Sequence, residues 1–436
     1  MEINFEKGLQ GAAAALSLAL MGICGVRLLL RLIALLRGRE TADGLSVEPS
    51  EAKAAPAACV MHAPSPARAM LYAALVTLAS RLLLYALAYA LYRGLGVGQK
   101  GFFESFESMW THWDTRHYIG IARNGYTAVG DDRLRLVFFP LYPMLMRLFS
   151  PLTGGSVFFG GVLVSLLCAG AGGALLYDLC RMHWGDRTAR LALAYFLLNP
   201  LSVFLGCVYT ESLFIVLTLL AVWLLRRDKP WLAALCGAAS AFTRMPGVIV
   251  AGLFLIRLLG EIPKGRLTRG AVLRCAGQML TVFSGLFAYW AVNWIVTGEP
   301  FTYMTYQAEN WYQRPGTFWG STSNTMHYFL TTAGDGDWLF TWGFQLIAML
   351  YAYALLAARE NVLPFDLAAY AFVYVAVVFA PTWLLSGARY LFALAALPML
   401  QARAHKRTAA HALALGVCGA LLVLWTYGFT IAVEVL

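Results

Sequence analysis

Apolar residues run along the chain in long, uneven blocks, near 11–36, 70–92, 156–180, 189–207, 211–225, 231–245, 247–260, 275–297, 338–358, 363–383, 386–402 and 409–434. A helix that crosses the ~30 Å hydrocarbon core of a bilayer needs about 20 such residues, and several blocks fall short. Polar breaks separate the short ones: Asn199-Pro200, Tyr209-Thr210-Glu211-Ser212 and Thr243-Arg244-Met245-Pro246-Gly247. Broken helices with polar backbone inside a membrane survive only where they line a cavity or are buried in protein. The pattern therefore predicts an all-α polytopic membrane protein of about 10–12 membrane segments, with a polar cavity walled by the middle of the chain.

Composition agrees. Of 436 residues, 60% are hydrophobic and only 13% charged, against roughly 25% charged in a soluble domain. That excludes ordinary soluble enzymes as well as disordered, collagen-like and nucleic-acid-binding proteins. The net charge of +10 reads as the basic excess of cytoplasmic loops rather than as a nucleic-acid footprint. Arg37, Arg39, Lys53 and Arg68, Arg181 to Arg190, Arg226 to Lys229, Lys264 to Arg274, Arg359, and Arg403 to Arg407 all follow odd-numbered apolar blocks. The positive-inside rule puts those linkers in the cytoplasm and both termini outside.

Met1 to Gln10 carries Glu2, Glu6 and Lys7 instead of the basic leader of a signal peptide, so residues 1–36 are expected to form a retained anchor helix. Residues 37–67, rich in Ala, Pro, Ser and charge, read as a flexible cytoplasmic linker ahead of a catalytic membrane domain over 68–436. Two outer loops, about 93–155 and about 298–337, are too aromatic for solvated tethers. The first is expected to fold into short amphipathic helices on the membrane; the rings of the second suit sugars, lipid headgroups or an interfacial belt. The eight cysteines lie mostly in apolar runs, with Cys59 in the polar linker and no CxxC pair. They read as packing residues, not as a disulfide framework or zinc site.

The densest cluster of reactive groups is Trp113-Asp114-Thr115-Arg116-His117-Tyr118. On a helix Asp114 and His117 share one face and meet, and a carboxylate beside an imidazole under aromatics can take a proton from a hydroxyl nucleophile or orient a leaving phosphate. A surface ion pair would use the same residue types. Glu211 and Arg244 fall inside apolar blocks, where ionisable groups are functional candidates by default; they either neutralise each other across neighbouring helices or contact a ligand. Arg389, at the outer end of a late block, is placed to meet an anionic headgroup or to snorkel to the interface. Asp335-Gly336-Asp337 has the form of a metal-binding DxD, but between glycines it reads as a turn. No P-loop and no GxSxG is present.

Four motifs in series resemble the PIG-V family of mannosyltransferases: Trp113-Asp114-xx-His117-Tyr118-xx-Ile121-Ala122-xx-Gly125-Tyr126; Phe138-Phe139-Pro140-x-Tyr142-Pro143; Asn199-Pro200-x-Ser202-x-Phe204 with Tyr209-Thr210-Glu211-Ser212; and Thr243-Arg244-xx-Gly247. They lie in the family's order within about residues 70–400, leaving 1–67 outside the pattern. The resemblance implies a GT-C glycosyltransferase that uses a polyprenyl-phosphate sugar on the outer face, with an acidic residue of the first outer loop as base. Asp114 matches that residue, with His117 as its catalytic companion. Trp113, Arg116, Tyr118, Tyr142, Asn199, Tyr209, Glu211, Arg244 and Arg389 are the substrate-binding candidates.

The implied reaction is an inverting transfer of mannose or another sugar to a glycolipid, glycan or protein hydroxyl. It needs membrane lipid as its medium and no cofactor, because fixed arginines supply the charge that stabilises the leaving phosphate; a divalent ion near Asp114 stays compatible with it. Compact loops suit a bacterial cytoplasmic membrane. The alternatives are a lipid-linked-sugar flippase or transporter, and a polysaccharide polymerase or ligase. No inverted repeat of segments supports the first. The second outer loop holds only Arg314, where a polymerase is expected to place several arginines. Oligomeric state is left open.

Overall fold

The computed structural model describes residues 2–44, 65–97, 100–334, 338–359 and 362–433. Most of the linker with Cys59, and the Asp335-Gly336-Asp337 motif, lie outside the described residues. Within them every regular element is helical and none is a strand.

Two long helices open the chain, α1 (Glu2–Leu36) and α2 (Pro66–Gly94), followed by three short ones, α3 (Phe102–Trp110), α4 (Asp114–Asn124) and α5 (Leu141–Phe149). These three, with a 3-10 turn over Asp131–Val137, are the short helices expected in the first outer loop; the chain bends by 106° between that turn and Leu141–Thr153. The remaining helices are α6 (Val157–Trp184), α7 (Asp186–Leu198), α8 (Glu211–Leu225), α9 (Pro230–Ala241), α10 (Ala251–Leu259), α11 (Arg269–Thr297), α12 (Thr302–Trp311), α13 (Phe318–Thr331), α14 (Phe344–Arg359), α15 (Phe365–Val378), α16 (Gly387–Phe392), α17 (Leu397–Ala402) and α18 (Thr408–Thr430).

Among the described residues, six helices are long and apolar enough to cross a membrane: α1, α2, α6, α11, α14 with the preceding Trp338–Gly343 turn, and α18. The other apolar blocks form helices too short to span the hydrocarbon core singly by length. Helices α7, α8, α9 and α15 have 13, 15, 12 and 14 residues, or about 18–23 Å at the helical rise. Helix α7 stops at Leu198 because Pro200 has no N–H to donate and holds Asn199 out of the helical region; the Asn199 carboxamide caps Leu201 N at 2.9 Å. The short helices follow one another as three turned-back pairs, or hairpins: α7 then α8, α9 then α10, and α15 then α16 and α17. Their legs pack mainly on other helices, α7 on α6 and α17, α8 on α6 and α9, and α10 on α11.

The open ends of the hairpins all lie on one face, with the basic linkers. Arg226 donates to Asp366 at 2.6 and 2.9 Å, Arg227 to Asp178 at 3.2 Å, and Arg257 to Asp228. Arg187 donates to Thr408 at 2.9 Å and Arg359 to Ala404 O at 2.9 Å. Asp366 N donates to Ala42 O at 3.0 Å, and Gly38 abuts Pro263. The six linkers grouped by charge are thus neighbours in space. The hairpin tips point the other way.

Close helix packing uses small residues. Any Cβ at Gly285 of α11 would strike the Ala238 carbonyl of α9. Helix α1 is packed into the same core, through Met21, Cys24, Leu28 and Leu35, beside α13, α14 and α15.

Candidate active site

Each hairpin tip delivers one charge to a common point. The first tip winds through a 3-10 turn (Pro200–Leu205) and starts α8 at Glu211. The second passes Arg244 in extended conformation before another 3-10 turn. There Gly247 lies against the Ser240 and Ala241 backbone so closely that no side chain fits. The third tip carries Arg389 on α16. From the loop above, α4 contributes Asp114 as its first residue.

The four side chains form a chain of alternating charge. Arg389 Nη1 donates to Asp114 Oδ2 at 2.6 Å, Arg389 Nε lies 3.5 Å from Glu211 Oε1, and Arg244 Nη1 donates to that oxygen at 2.7 Å. Glu211 and Arg389 are 1% and 6% exposed, Arg244 13%, and Asp114 20%. Solvent access thus enters at the Asp114 end. Aromatic faces shelter the cations: the Arg389 guanidinium carbon is 5.0 Å from the Tyr209 ring centroid and 5.5 Å from that of Phe204, and that of Arg244 is 4.7 Å from Tyr390. Two buried atoms of the chain, Glu211 Oε2 and Arg389 Nε, have no hydrogen-bond partner. Buried polar atoms without partners require an explanation, and a bound polar substrate supplies one.

Asp114 is aimed by a strained corner. Trp113 holds φ +43° and ψ −116°, a conformation that costs a non-glycine residue about 1–3 kcal/mol and persists only where surrounding structure enforces it. The enforcement is visible. The Trp113 and His112 rings lean on Phe429 of α18 at 5.2 and 5.7 Å, the Tyr209 hydroxyl donates to His112 O at 3.3 Å, and the Thr115 hydroxyl to Val208 O at 3.4 Å.

Not every nominated residue joins the chain. His117 does not hydrogen-bond Asp114: its ring stacks on Phe138 at 4.6 Å and 18°, with Trp311 edge-on at 6.2 Å, while Asp114 takes the stronger guanidinium partner. Burial lowers the pKa of His117, and the nearby Asp114 charge opposes that shift. Tyr118 is buried between Tyr142 and Tyr209, at 5.4 and 6.4 Å. Tyr142 sits behind the wall, donating to Gly161 O at 3.0 Å and lying 2.7 Å from Ser165 Oγ. Asn199 is spent on its backbone cap, and Arg116 is exposed.

Two contributors carried no nomination from sequence. Phe429 lies in a featureless apolar run. Arg81, fully buried on α2, donates to Leu197 O at 3.0 Å and Ser202 Oγ at 3.3 Å, tying off the end of α7; an arginine in an apolar block is itself a signal that could have found it.

Comparison with known proteins gives one family. The family model described as mannosyltransferase (PIG-V) matches residues 99–355. The chain is similar to mouse GPI alpha-1,6-mannosyltransferase 2, 30% identical over 155 residues that cover 33% of this chain and 31% of that protein. The human protein of the same name is 26% identical over 217 residues, 48% and 42% of the two chains. GPI mannosyltransferase 2 of Drosophila pseudoobscura pseudoobscura is 28% identical over 178 residues, 38% of each. The chain spans less than half the length of these curated relatives. No solved structure matches. Asp114, Glu211 and Arg244 lie within the matched stretch; Arg389 and Phe429 lie beyond it.

Proposed function

The chain belongs to the PIG-V family of mannosyltransferases, and on that premise we propose that it is an inverting mannosyltransferase drawing on a polyprenyl-phosphate donor. The acceptor is a hydroxyl on the extracytoplasmic side of the membrane. The observation that carries this reading is the chain Asp114, Arg389, Glu211, Arg244, with a carboxylate at its accessible end and two guanidinium groups behind it. A general base must lie within hydrogen-bond reach of the proton it takes, and Asp114 is the accessible acid. Arginine suits phosphate through its planar fork of donors, and two buried arginines stabilise charge as it develops on a leaving phosphate.

In this reading Asp114 accepts the proton of the acceptor hydroxyl as that oxygen attacks the anomeric carbon. The bond from that carbon to the donor phosphate breaks on the opposite face. A β-linked donor then gives an α-mannoside, the linkage named for the rodent and human relatives. Glu211, with one buried oxygen unpartnered, receives a hydroxyl of the bound sugar, and Tyr209 and Tyr118 form an aromatic wall beside the charge chain. His117, stacked on Phe138, serves as part of that wall rather than as an orienter of Asp114. Sidedness follows from charge: the basic face is cytoplasmic, so the site opens outside, where nucleotide sugars are absent and the donor must be lipid-linked.

The test is transfer from synthetic polyprenyl-phosphate mannose by purified protein with membrane lipid extract as acceptor. Asp114→Asn, nearly isosteric, is expected to lower turnover by about 10²–10⁴-fold and, by removing one partner of the Arg389 ion pair, to lower the unfolding temperature without abolishing folding. Wild-type turnover in that variant would remove Asp114 as base.

A further inference from the structure

The four charges of the cluster cancel before any substrate arrives. Arg389 is committed to Asp114 at 2.6 Å and Arg244 to Glu211 at 2.7 Å. A phosphate donor adds a further negative charge, and none of the four buried or half-buried side chains is a spare cation to meet it; Arg116, the next basic residue of α4, is exposed outside the cluster. An uncompensated charge in a buried site is costly, so one contact has to be exchanged.

Geometry selects which one. Glu211 is 1% exposed and lies between two arginines; Asp114 is 20% exposed and stands at the end of the chain with one. The buried Nε of Arg389 makes no hydrogen bond and only a 3.5 Å ion contact with Glu211 Oε1. Its guanidinium is ringed by Tyr209, Phe204 and Tyr390, at 5.0, 5.5 and 5.7 Å. Aromatic faces attract a cation without fixing its in-plane direction, so a pivot away from Asp114 leaves that support in place.

We infer that Arg389 is shared between base and donor: it holds Asp114 in the empty site and turns to the phosphate when the donor binds, so that donor entry frees the base and the donor loads before the acceptor. The inference rests on the reading of Asp114 as base and of the donor as a polyprenyl-phosphate sugar. The transfer step conserves charge along this route. The acceptor oxygen bonds to the anomeric carbon, its proton goes to Asp114, and the electron pair of the broken bond stays on the phosphate. Negative charge leaves Asp114 and builds on the phosphate, and Arg389 follows it. When Asp114 later gives its proton to water, it reclaims Arg389 and loosens the spent polyprenyl phosphate.

A binding experiment on full-length protein in lipid nanodiscs tests this, with decaprenyl phosphate and neutral decaprenol as probes. Wild type is expected to prefer the phosphate. Asp114→Asn, inactive in transfer, is expected to bind decaprenyl phosphate about tenfold tighter, the factor worth one modest charge-assisted contact, with decaprenol binding unchanged. Arg389→Gln should bind the phosphate more weakly, and the double variant should show no gain over it. Asp114→Ser removes the same charge and serves if the Asn variant does not fold. Equal or weaker phosphate binding in the charge-removed variants overturns the shared arginine, as does an equal gain for decaprenol. A wild type that does not distinguish phosphate from alcohol overturns the donor reading as well.

Discussion

His117 shows how one residue reports on the site around it. Burial against Phe138 lowers its proton affinity in the folded protein, with Asp114 opposing. In a window just below the unfolded value of about 6.5, the unfolded chain therefore binds more protons than the folded one. Stability is lost as pH falls through that window, and the loss levels off once the folded ring is protonated too. His117→Gln should reduce the slope of the thermal-unfolding profile just below about pH 6.5, leaving the share that His112, also lowered by burial, contributes there; an unchanged slope would contradict the assignment. Glu211 and Arg244 stood out in sequence because ionisable groups among apolar residues have few innocent explanations, Arg389 by its place at the outer end of an apolar block, and Asp114 by the reactive cluster around it. Tyr142 and Asn199 misled because a phenol or carboxamide serves equally well to satisfy backbone, which is how both are used. The Asp114–His117 pairing failed because helical spacing makes two residues neighbours without deciding which partner wins.

At the scale of elements, helix positions were legible and helix roles were not. An apolar run of 12–15 residues, the length of α7, α8, α9 and α15, reads alike as a short span or as half of a hairpin. The polar breaks at 199–212 and 243–247 marked the tips, but only three-dimensional packing shows that they converge. Helix α18 is the other case. Its Phe429 is fully buried and touches Trp110, Trp113, His112, Phe204 and Tyr209, so the strained Trp113 corner depends on the last helix. Phe429→Ala should cost about 3–5 kcal/mol of stability and lower kcat more than it alters KM for the donor, with Phe429→Tyr recovering much of both. An unchanged kcat would show that Asp114 is aimed without α18.

Over the whole molecule, the charge pattern and the packing give the same division. The basic linkers assemble on one face, the hairpins enter from it, and α1 begins and α18 ends at the other. Counting each hairpin as two spans leaves the orientation unchanged, because it adds two crossings that cancel. In a Cys59→Ser background, a cysteine at exposed Arg266 should react with membrane-impermeant maleimide only after the cytoplasmic side is opened. One at exposed Val129 should react in intact cells; the reverse pattern would invert the topology. The measurement that bears most directly on the account is sugar transfer by the purified protein, with polyprenyl-phosphate mannose and a nucleotide-linked mannose offered in parallel and the product's anomeric configuration determined by NMR. The expected result is an α-mannoside formed from the lipid-linked donor alone and lost in Asp114→Asn. Transfer from the nucleotide sugar, a β product from the β-linked donor, or undiminished activity without the Asp114 carboxylate would contradict it.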